Sequence, residues 1–380
     1  MDTQAAARIP QPFCDMPDPR RNNHRHSLNS IVTIALFAII CGAEDWAAVA
    51  LYGRSKHDWL NTFLDLPHGI PSHDTFNDLF NRLHPDAFEA CFQAWMASMV
   101  QLTGGKLVAI DGKSLRRSFE HGWDKSGMSH MVSAFVQANS MVFAQVKAEG
   151  PGQELSAIER LIAMLDLKGA VVTIDAIATN VEIAGQIVAA GADFVLPVKG
   201  NQPILQGKLS RAMDDAILDG FPELKHDCFV ETDGDHGRIE TRKLWVCWNV
   251  ELLLGKELMA EWPSIGALIA IERTRELNGK TTVARHYYIS SLDGRTKAKT
   301  LAGFIRGHWS IENNLHWQLD VSFNEDQRRL RTGNGAENSS RLSRIALNLL
   351  KREKTATCGI LNKRKLCGWD NDYILKVLLA

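Results

Sequence analysis

No two cysteines in this 380-residue chain stand at Cys-x-x-Cys spacing. Its seven, Cys14, Cys41, Cys91, Cys228, Cys247, Cys358 and Cys367, are odd in number and scattered. That argues against a zinc module and for reduced thiols in a cytosol. Long apolar runs are missing too: residues 31–43, the most apolar stretch, reach only about half of the roughly 20 residues a bilayer-spanning helix needs. Glu44 and Asp45 follow at once, so the stretch reads as a buried helix. The start, Met1-Asp-Thr-Gln, has no signal-peptide pattern. An excess of one charge is absent as well. With a formal net charge of -1, nucleic-acid binding has no global signature here and must rest on local clusters. Internal repeats and low-complexity segments are not visible.

The composition, 45% hydrophobic and 23% charged, is that of a soluble globular protein, and the length suffices for two or three structural units. Three acidic residues carry most of the information. Asp111 ends the apolar run Lys106-Leu-Val-Ala-Ile110, Asp175 ends Ala170-Val-Val-Thr-Ile174, and Glu312 lies in a helical stretch, Arg306-Gly-His-Trp-Ser-Ile-Glu312. Short β-branched runs read as buried strands, which places a carboxylate at the end of such a run at the edge of a sheet. An Asp after a strand often does no more than start a turn. Two strand-end carboxylates and one on a later helix, however, form the oxygen-rich set that suits magnesium.

The chain changes texture along its length. Residues 28–100 show helical spacing, with a break at Leu66-Pro-His-Gly-Ile-Pro71 and a new capped start at Ser72-His-Asp-Thr-Phe76. Strands are predicted at 106–110, 130–137, 141–148, 170–174 and 194–198, with helices at 154–166 and 181–190. This pattern implies a mixed sheet with helices packed on it. Strand-like runs at 243–248, 265–271 and 281–290 make 200–300 a β-rich insertion, and helical texture returns over 296–350.

His308, Glu312, His316 and Asp320 stand four apart and line one stripe of a helix. Either Glu312 contributes to a magnesium site with the histidines around it, or His308 and His316 hold a transition metal themselves. The strand-end aspartates favour the first. In His236-Gly-Arg-Ile-Glu-Thr-Arg242, extended backbone would put residues 236, 238, 240 and 242 on one face, able to grip phosphate or simply to form the polar outside of an edge strand. Glu325-Asp-Gln-Arg-Arg-Leu-Arg331 likewise reads as a phosphate-gripping run or as only an exposed helix end. Near the C-terminus Arg341, Arg344, Lys351, Arg352, Lys354, Lys363, Arg364 and Lys365 are opposed only by Glu353.

In this order, several motifs resemble the insertion-sequence transposases of the ISAs type, also called H-repeat-associated proteins, within the DDE transposase superfamily. They are Ala109-Ile-Asp-Gly-Lys113, Thr173-Ile-Asp-Ala176, Val198-Lys-Gly-Asn-Gln202, His236-Gly-Arg-Ile-Glu-Thr-Arg242, His308-Trp-Ser-Ile-Glu-Asn313 and Leu315-His-Trp-Gln-Leu-Asp-Val-Ser-Phe-Asn-Glu-Asp326. Residues 338–350 and Gly69-Ile-Pro-Ser-His-Asp-Thr-Phe76 match as well, so the resemblance runs from about residue 14 over nearly the whole chain. Two departures stand out. Ile-Ala-Thr-Asn180 follows Asp175-Ala176 where the family is more like Met-Gly-Cys-Gln, and Ile305, His308 and Leu319 replace the superfamily's Tyr, Arg and Lys around Glu312. Arg306 or Lys199 would then substitute as the phosphate-gripping cation.

The resemblance implies an α/β, RNase H-like mixed sheet with flanking helices, a β-rich insertion and an N-terminal helical domain. It divides the chain into a flexible segment (1–25), a helical transposase-associated domain (26–103), the first part of the catalytic core (104–200), the insertion (201–295), the core's acidic C-terminal helices (296–352) and a basic tail (353–380). It makes Asp111, Asp175 and Glu312 the catalytic, metal-holding acids, with magnesium as cofactor and manganese able to replace it. Expected DNA contacts are Lys113, Arg116, Arg117, Lys199, Asn201, Gln202, His236, Arg238, Arg242, Arg306, His316, Arg328 and Arg331, joined by the basic cluster from Arg341 to Lys365. The implied activity is cleavage at transposon ends and strand transfer into target DNA by phosphoryl transfer, without a covalent protein intermediate. Its partners would be double-stranded DNA, both terminal inverted repeats and target, and a second copy in a homodimer, in a bacterial cytosol at the nucleoid and away from membranes. A domesticated, silent DNA-binding protein and an RNase H-like nuclease that cuts without joining are the alternatives.

Overall fold

In the computed structural model, which describes residues 13, 16–21, 24–99, 106–119, 127–150, 152–235 and 238–379, Ser27, Asp45 and Ser72 each begin a helix in the same way. The side-chain oxygen accepts the amide N–H three residues on, which satisfies one of the donors a helix start leaves unpaired. The helices they open are α1 (Leu28–Ile40), α2 (Trp46–Ser55) and α4 (His73–Arg82); α3 (His57–Leu60) and α5 (Pro85–Met99) complete the N-terminal set. The apolar run read as a buried helix is α1, whose residues are buried apart from Asn29. Among the described residues no helix is long and apolar enough to cross a membrane. The N-terminal segment expected to be flexible is anchored where it is described: Phe13 and Met16 are buried, and Phe13 meets Phe88 edge to face at 5.7 Å.

The residues fall into two units, one of 1–101, 112–157 and 312–380, the other of 102–111 and 158–311. The first unit holds the N-terminal helices, the antiparallel hairpin of β2 (His130–Val136) and β3 (Met141–Ala148), and helices α12 (Trp317–Val321), α13 (Gly335–Arg352), α14 (Ile360–Trp369) and α15 (Asn371–Leu379). Polar bonds stitch α13 into its surroundings. The Asn338 amide donates to the carbonyls of Phe80 and Leu83 at 2.9 and 3.0 Å, and Asn348 exchanges bonds with the Val142 backbone at 2.9 and 2.7 Å. The basic tail expected over 353–380 is therefore corrected: it is mostly two packed helices, with Lys363, Arg364 and Cys367 buried.

The second unit is built on a sheet. β1 (Leu107–Ser114), of which 107–111 belong here, pairs in parallel with β4 (Val171–Ile174), and β4 with β5 (Asp193–Val198). Helices α6 (Glu154–Met164) and α7 (Val181–Ala189) supply crossovers of the kind parallel strands require. Beyond β5 the order continues through β9 (Lys280–Ser290), β8 (Ala267–Leu277), β7 (Arg238–Cys247) and β6 (His226–Asp235), all antiparallel. A hairpin after β1, then parallel strands joined by helices, is the RNase H-like arrangement. The insertion extends this sheet through β9 on β5. Leu107, Val171, Val195, Val246, Ile269, Leu301 and Ile305 form the core beneath it, the last two from α11 (Ala298–His308).

Sequence reading missed β6 and α8 (Pro203–Asp219), and it ended β1 too early. The β6 segment is mostly polar and lacks an alternating apolar face, which explains its silence. The β8–β9 hairpin carried a signal that went unused: Asn278-Gly279 joins paired Leu277 and Lys280 with both φ angles positive, 51° and 74°, as a type I′ turn demands. α9 (Val250–Leu254) and α10 (Lys256–Glu261) fill the connection between β7 and β8.

Candidate active site

Register sets the two aspartates. Ile110 of β1 is directly opposite Ile174 of β4 in the parallel ladder, so Asp111 and Asp175, the next residue on each chain, leave the paired stretch side by side. Asp111 is not at a strand end, as expected, because β1 runs on to Ser114; it lies where pairing with β4 stops. Asp175 begins a 3₁₀ turn and accepts the Ala176 N–H at 2.6 Å. Carboxylate oxygens at the C-terminal ends of adjacent parallel strands are a donor set fitted to a hard divalent cation.

The turn after Asp175 explains a motif that sequence reading assigned to DNA. The side-chain amides of Asn201 and Gln202 both donate to the Thr179 carbonyl at 3.0 Å, and the Thr179 hydroxyl donates to the Pro197 carbonyl at 2.8 Å. Asn180 caps α7 by accepting the Ile183 N–H at 2.7 Å. Thr179 and Asn180, the last two of the four residues that depart from the pattern the chain resembles, thus supply the hydroxyl and cap that hold this turn. Lys199 remains largely exposed, its Nζ 3.8 Å from Asp175 Oδ1.

The helical run that leads to Glu312 is fixed one turn earlier. His308, the last residue of α11, shares a hydrogen bond with Thr173 Oγ1 at 3.0 Å, two residues before Asp175. Glu312 then opens a π-helix, Glu312–His316, a rare wide turn frequent at functional sites. Its exposed carboxylate accepts from His316 Nδ1 at 2.9 Å, while the ring of His316 is buried. Burial holds the His316 imidazole below its ordinary pKa, against the opposing pull of Glu312. The expected four-residue stripe therefore divides: His308 turns to Thr173, Glu312 and His316 to each other, and Asp320 to Lys113. Lys351 ties the π-helix down. Its ammonium donates to the Asn314 carbonyl at 2.6 Å and the Ser140 carbonyl at 2.9 Å, and burial, with Lys354 nearby, lowers its pKa to about 7.

The predicted DNA contacts meet different fates. Lys113 is buried, bridging Asp320 and Asp326 at 2.6 and 3.3 Å, so its ammonium is already spoken for. Arg328 is half-buried and bonds Ser339, Ser343 and the Phe323 carbonyl. Arg341, Arg344, Lys363 and Arg364 are buried, which corrects their reading as part of a phosphate-contacting track. Residues 238, 240 and 242 do share a face, but Glu240 takes both Arg238 and Arg242, and Arg242 also meets Asp233 at 2.9 Å and Glu231 at 3.4 Å. Arg306 joins the same two acids at 2.7 and 3.3 Å. Asp233 is held below the usual carboxylate range by the Arg242 hydrogen bond and the Arg306 charge. His236 lies outside the described residues. Arg116 stays exposed although it reaches Asp326 at 3.0 Å; Arg331, also exposed, lies over the Phe119 ring at 5.2 Å and donates to the carbonyl of half-buried Arg117.

A family model described as "Transposase DDE domain" matches residues 102–349, and one described as "DDE_Tnp_1-associated" matches 11–96. "Putative transposase YncI" of Escherichia coli O157:H7 is 38% identical over 370 residues, 96% of this chain and 93% of that protein. "H repeat-associated putative transposase YhhI" of Escherichia coli K12 is 34% identical over 372 residues, 96% and 95% of the two chains. Among solved structures, a piggyBac transposase synaptic complex with hairpin DNA aligns with 99% of this chain and 80% of its own at 12% identity and a TM-score of 0.44.

Proposed function

Because the chain belongs to the DDE transposase family, we propose that it cuts DNA at the ends of a mobile element and joins the freed 3′ hydroxyl to target DNA in a divalent-metal-dependent reaction. The observation that carries this reading is the Ile110–Ile174 register, which sets Asp111 and Asp175 side by side, on a helix-backed sheet whose His308–Thr173 bond lies one helical turn before Glu312. Asp111, Asp175 and Glu312 would hold magnesium, which supplies Lewis-acid polarisation of the phosphate and of the attacking oxygen. The chain's own part is positioning. Thr179, Asn201 and Gln202 fix the turn that carries Asp175, His308 fixes the helix before Glu312, and His316 orients the Glu312 carboxylate. An element has two inverted ends, and a symmetric pair of ends fits a two-fold pair of subunits, so the active species in this reading is a homodimer.

Short duplexes carrying the inverted repeats that flank the gene test the reading. With magnesium, the protein is expected to nick at the repeat boundary and to join that end to a plasmid. Cutting without joining would make it a nuclease, and binding without cutting a silent DNA-binding protein. Either result overturns the proposal.

For DNA contact we propose three of the expected cations that stay exposed, Arg116, Lys199 and Arg331. Each phosphate contact contributes roughly 0.9 to the slope of log affinity against log salt. Arg116→Gln with Lys199→Gln is expected to flatten that slope by about two. Arg242→Gln, whose guanidinium already meets three carboxylates, is expected to leave it unchanged. A flattened slope in the Arg242 variant alone would move the DNA to the β6–β7 face.

A further inference from the structure

Beyond Asp111 the strand β1 continues through Gly112, Lys113 and Ser114, and alternation sends Lys113 to one face and Gly112 with Ser114 to the other. Each face is gripped. On the first, Lys113 is salt-bridged to Asp320 and Asp326. On the second, Ser114 Oγ meets His130 Nδ1 at 3.0 Å, and His130 Nε2 stands 3.3 Å from Glu154 Oε1, a close approach off the hydrogen-bonding direction. The His130 ring and the Glu154 carboxylate both press on Gly112: a Cβ there would fall inside contact distance of Glu154 Oε1 and His130 Nε2. The space a Cβ would need at 112 is thus filled by the ends of these two side chains, while its backbone angles set no such demand, since its φ is not positive.

We propose that His130 and Glu154 are positioning residues for Asp111. They seat against the Gly112 backbone, Ser114 fixes the imidazole, and together they determine where the preceding residue directs its carboxylate. The inference rests on the reading of Asp111 as a metal ligand. It assigns to three polar residues, none of them part of the acid set, the work that residues behind a metal ligand do elsewhere, where their loss typically costs 10–100-fold in metal affinity or activity.

A mutant cycle on the full-length protein separates this from ordinary packing. Manganese binding is read directly by calorimetry, cleavage of the repeat duplex gives the activity, and metal-free binding to that duplex reports the rest of the surface. Gly112→Ala forces the pair away, and is expected to weaken both manganese binding and cleavage by roughly 10–100-fold while metal-free DNA binding is retained. His130→Ala with Glu154→Ala is expected to do the same. Because the new methyl then enters vacated space, Gly112→Ala added to that double variant is expected to cost nothing more, the non-additivity of groups in contact. Losses that multiply across the cycle, or manganese binding unchanged in the double variant, would overturn the proposal. Asp111→Asn tells the two readings apart: if it binds manganese as the wild type does, the acid assignment fails, whereas loss of metal in Asp111→Asn with none in Gly112→Ala removes only the positioning role.

Discussion

Asp111→Asn, Asp175→Asn and Glu312→Gln are each expected to reduce magnesium-dependent end cleavage by on the order of 10²–10³-fold or more, the cost of removing a single group that stabilises developing charge. Each change is nearly isosteric and deletes one negative charge, so the fold should persist. Asp111 and Asp175 follow paired residues on adjacent strands, and carboxylates gathered at one metal site, as in the proposed reading, disfavour each other when it is empty. Without metal, the two Asn variants should therefore unfold at the same denaturant concentration as the wild type or slightly above it. Binding to repeat DNA in the absence of metal should be retained, because a carboxylate near phosphate contributes repulsion. Gel-resolved cleavage and an equilibrium unfolding curve for each variant give both readouts. Undiminished cleavage by any one of the three would remove that residue from the site.

Much of this site was legible because its strand signals are local. Lys106-Leu-Val-Ala-Ile110 and Ala170-Val-Val-Thr-Ile174 are short, apolar and β-branched, and the structure pairs them residue for residue. The identity of the turn residues was harder to read. Asn201 and Gln202 looked like polar DNA contacts, yet their amides are spent on the Thr179 carbonyl some twenty residues back, a bond that only the crossover through α7 creates. The π-helix at Glu312–His316 had no sequence signal; it depends on anchors such as the bond from Lys351 to Asn314, 37 residues apart in the chain. The C-terminal cations failed for the same reason on a larger scale. Arg341 lies 252 residues from its partner Glu89, so a one-dimensional count of neighbouring charges sees a basic track where the fold builds buried ion pairs.

Those pairs lead to the second large effect. Glu325→Ala is expected to destabilise the protein by about 3–5 kcal/mol, the range for breaking a buried ion pair by removing one partner. Arg344 has no exposed surface; it donates to Glu325 Oε1 at 3.1 Å, to the Ser340 carbonyl at 3.1 Å and to Ser133 Oγ at 3.3 Å. Burial acts to raise the Glu325 pKa, but Arg344, Lys113 and Arg328 outweigh it and hold the carboxyl below its ordinary value, so it is the ionised form that the fold selects. A carboxylate with a depressed folded pKa contributes stability above its unfolded value, here 4.5, and that contribution is lost as pH falls through the folded value. The wild type should therefore weaken on acidification below the ordinary carboxylate range, and Glu325→Ala should show a shallower loss there, having no such proton to bind. Replacing both partners, Glu325→Leu with Arg344→Met, should cost less than the single change because the Arg344 charge is not left buried without its partner. Denaturant midpoints at neutral and acid pH measure all three proteins. A Glu325→Ala protein as stable as the wild type, or a double variant that loses as much as Glu325→Ala or more, would show that the pair does not hold α13 in place; an equal acid loss in Glu325→Ala and wild type would assign the pH dependence to other carboxylates.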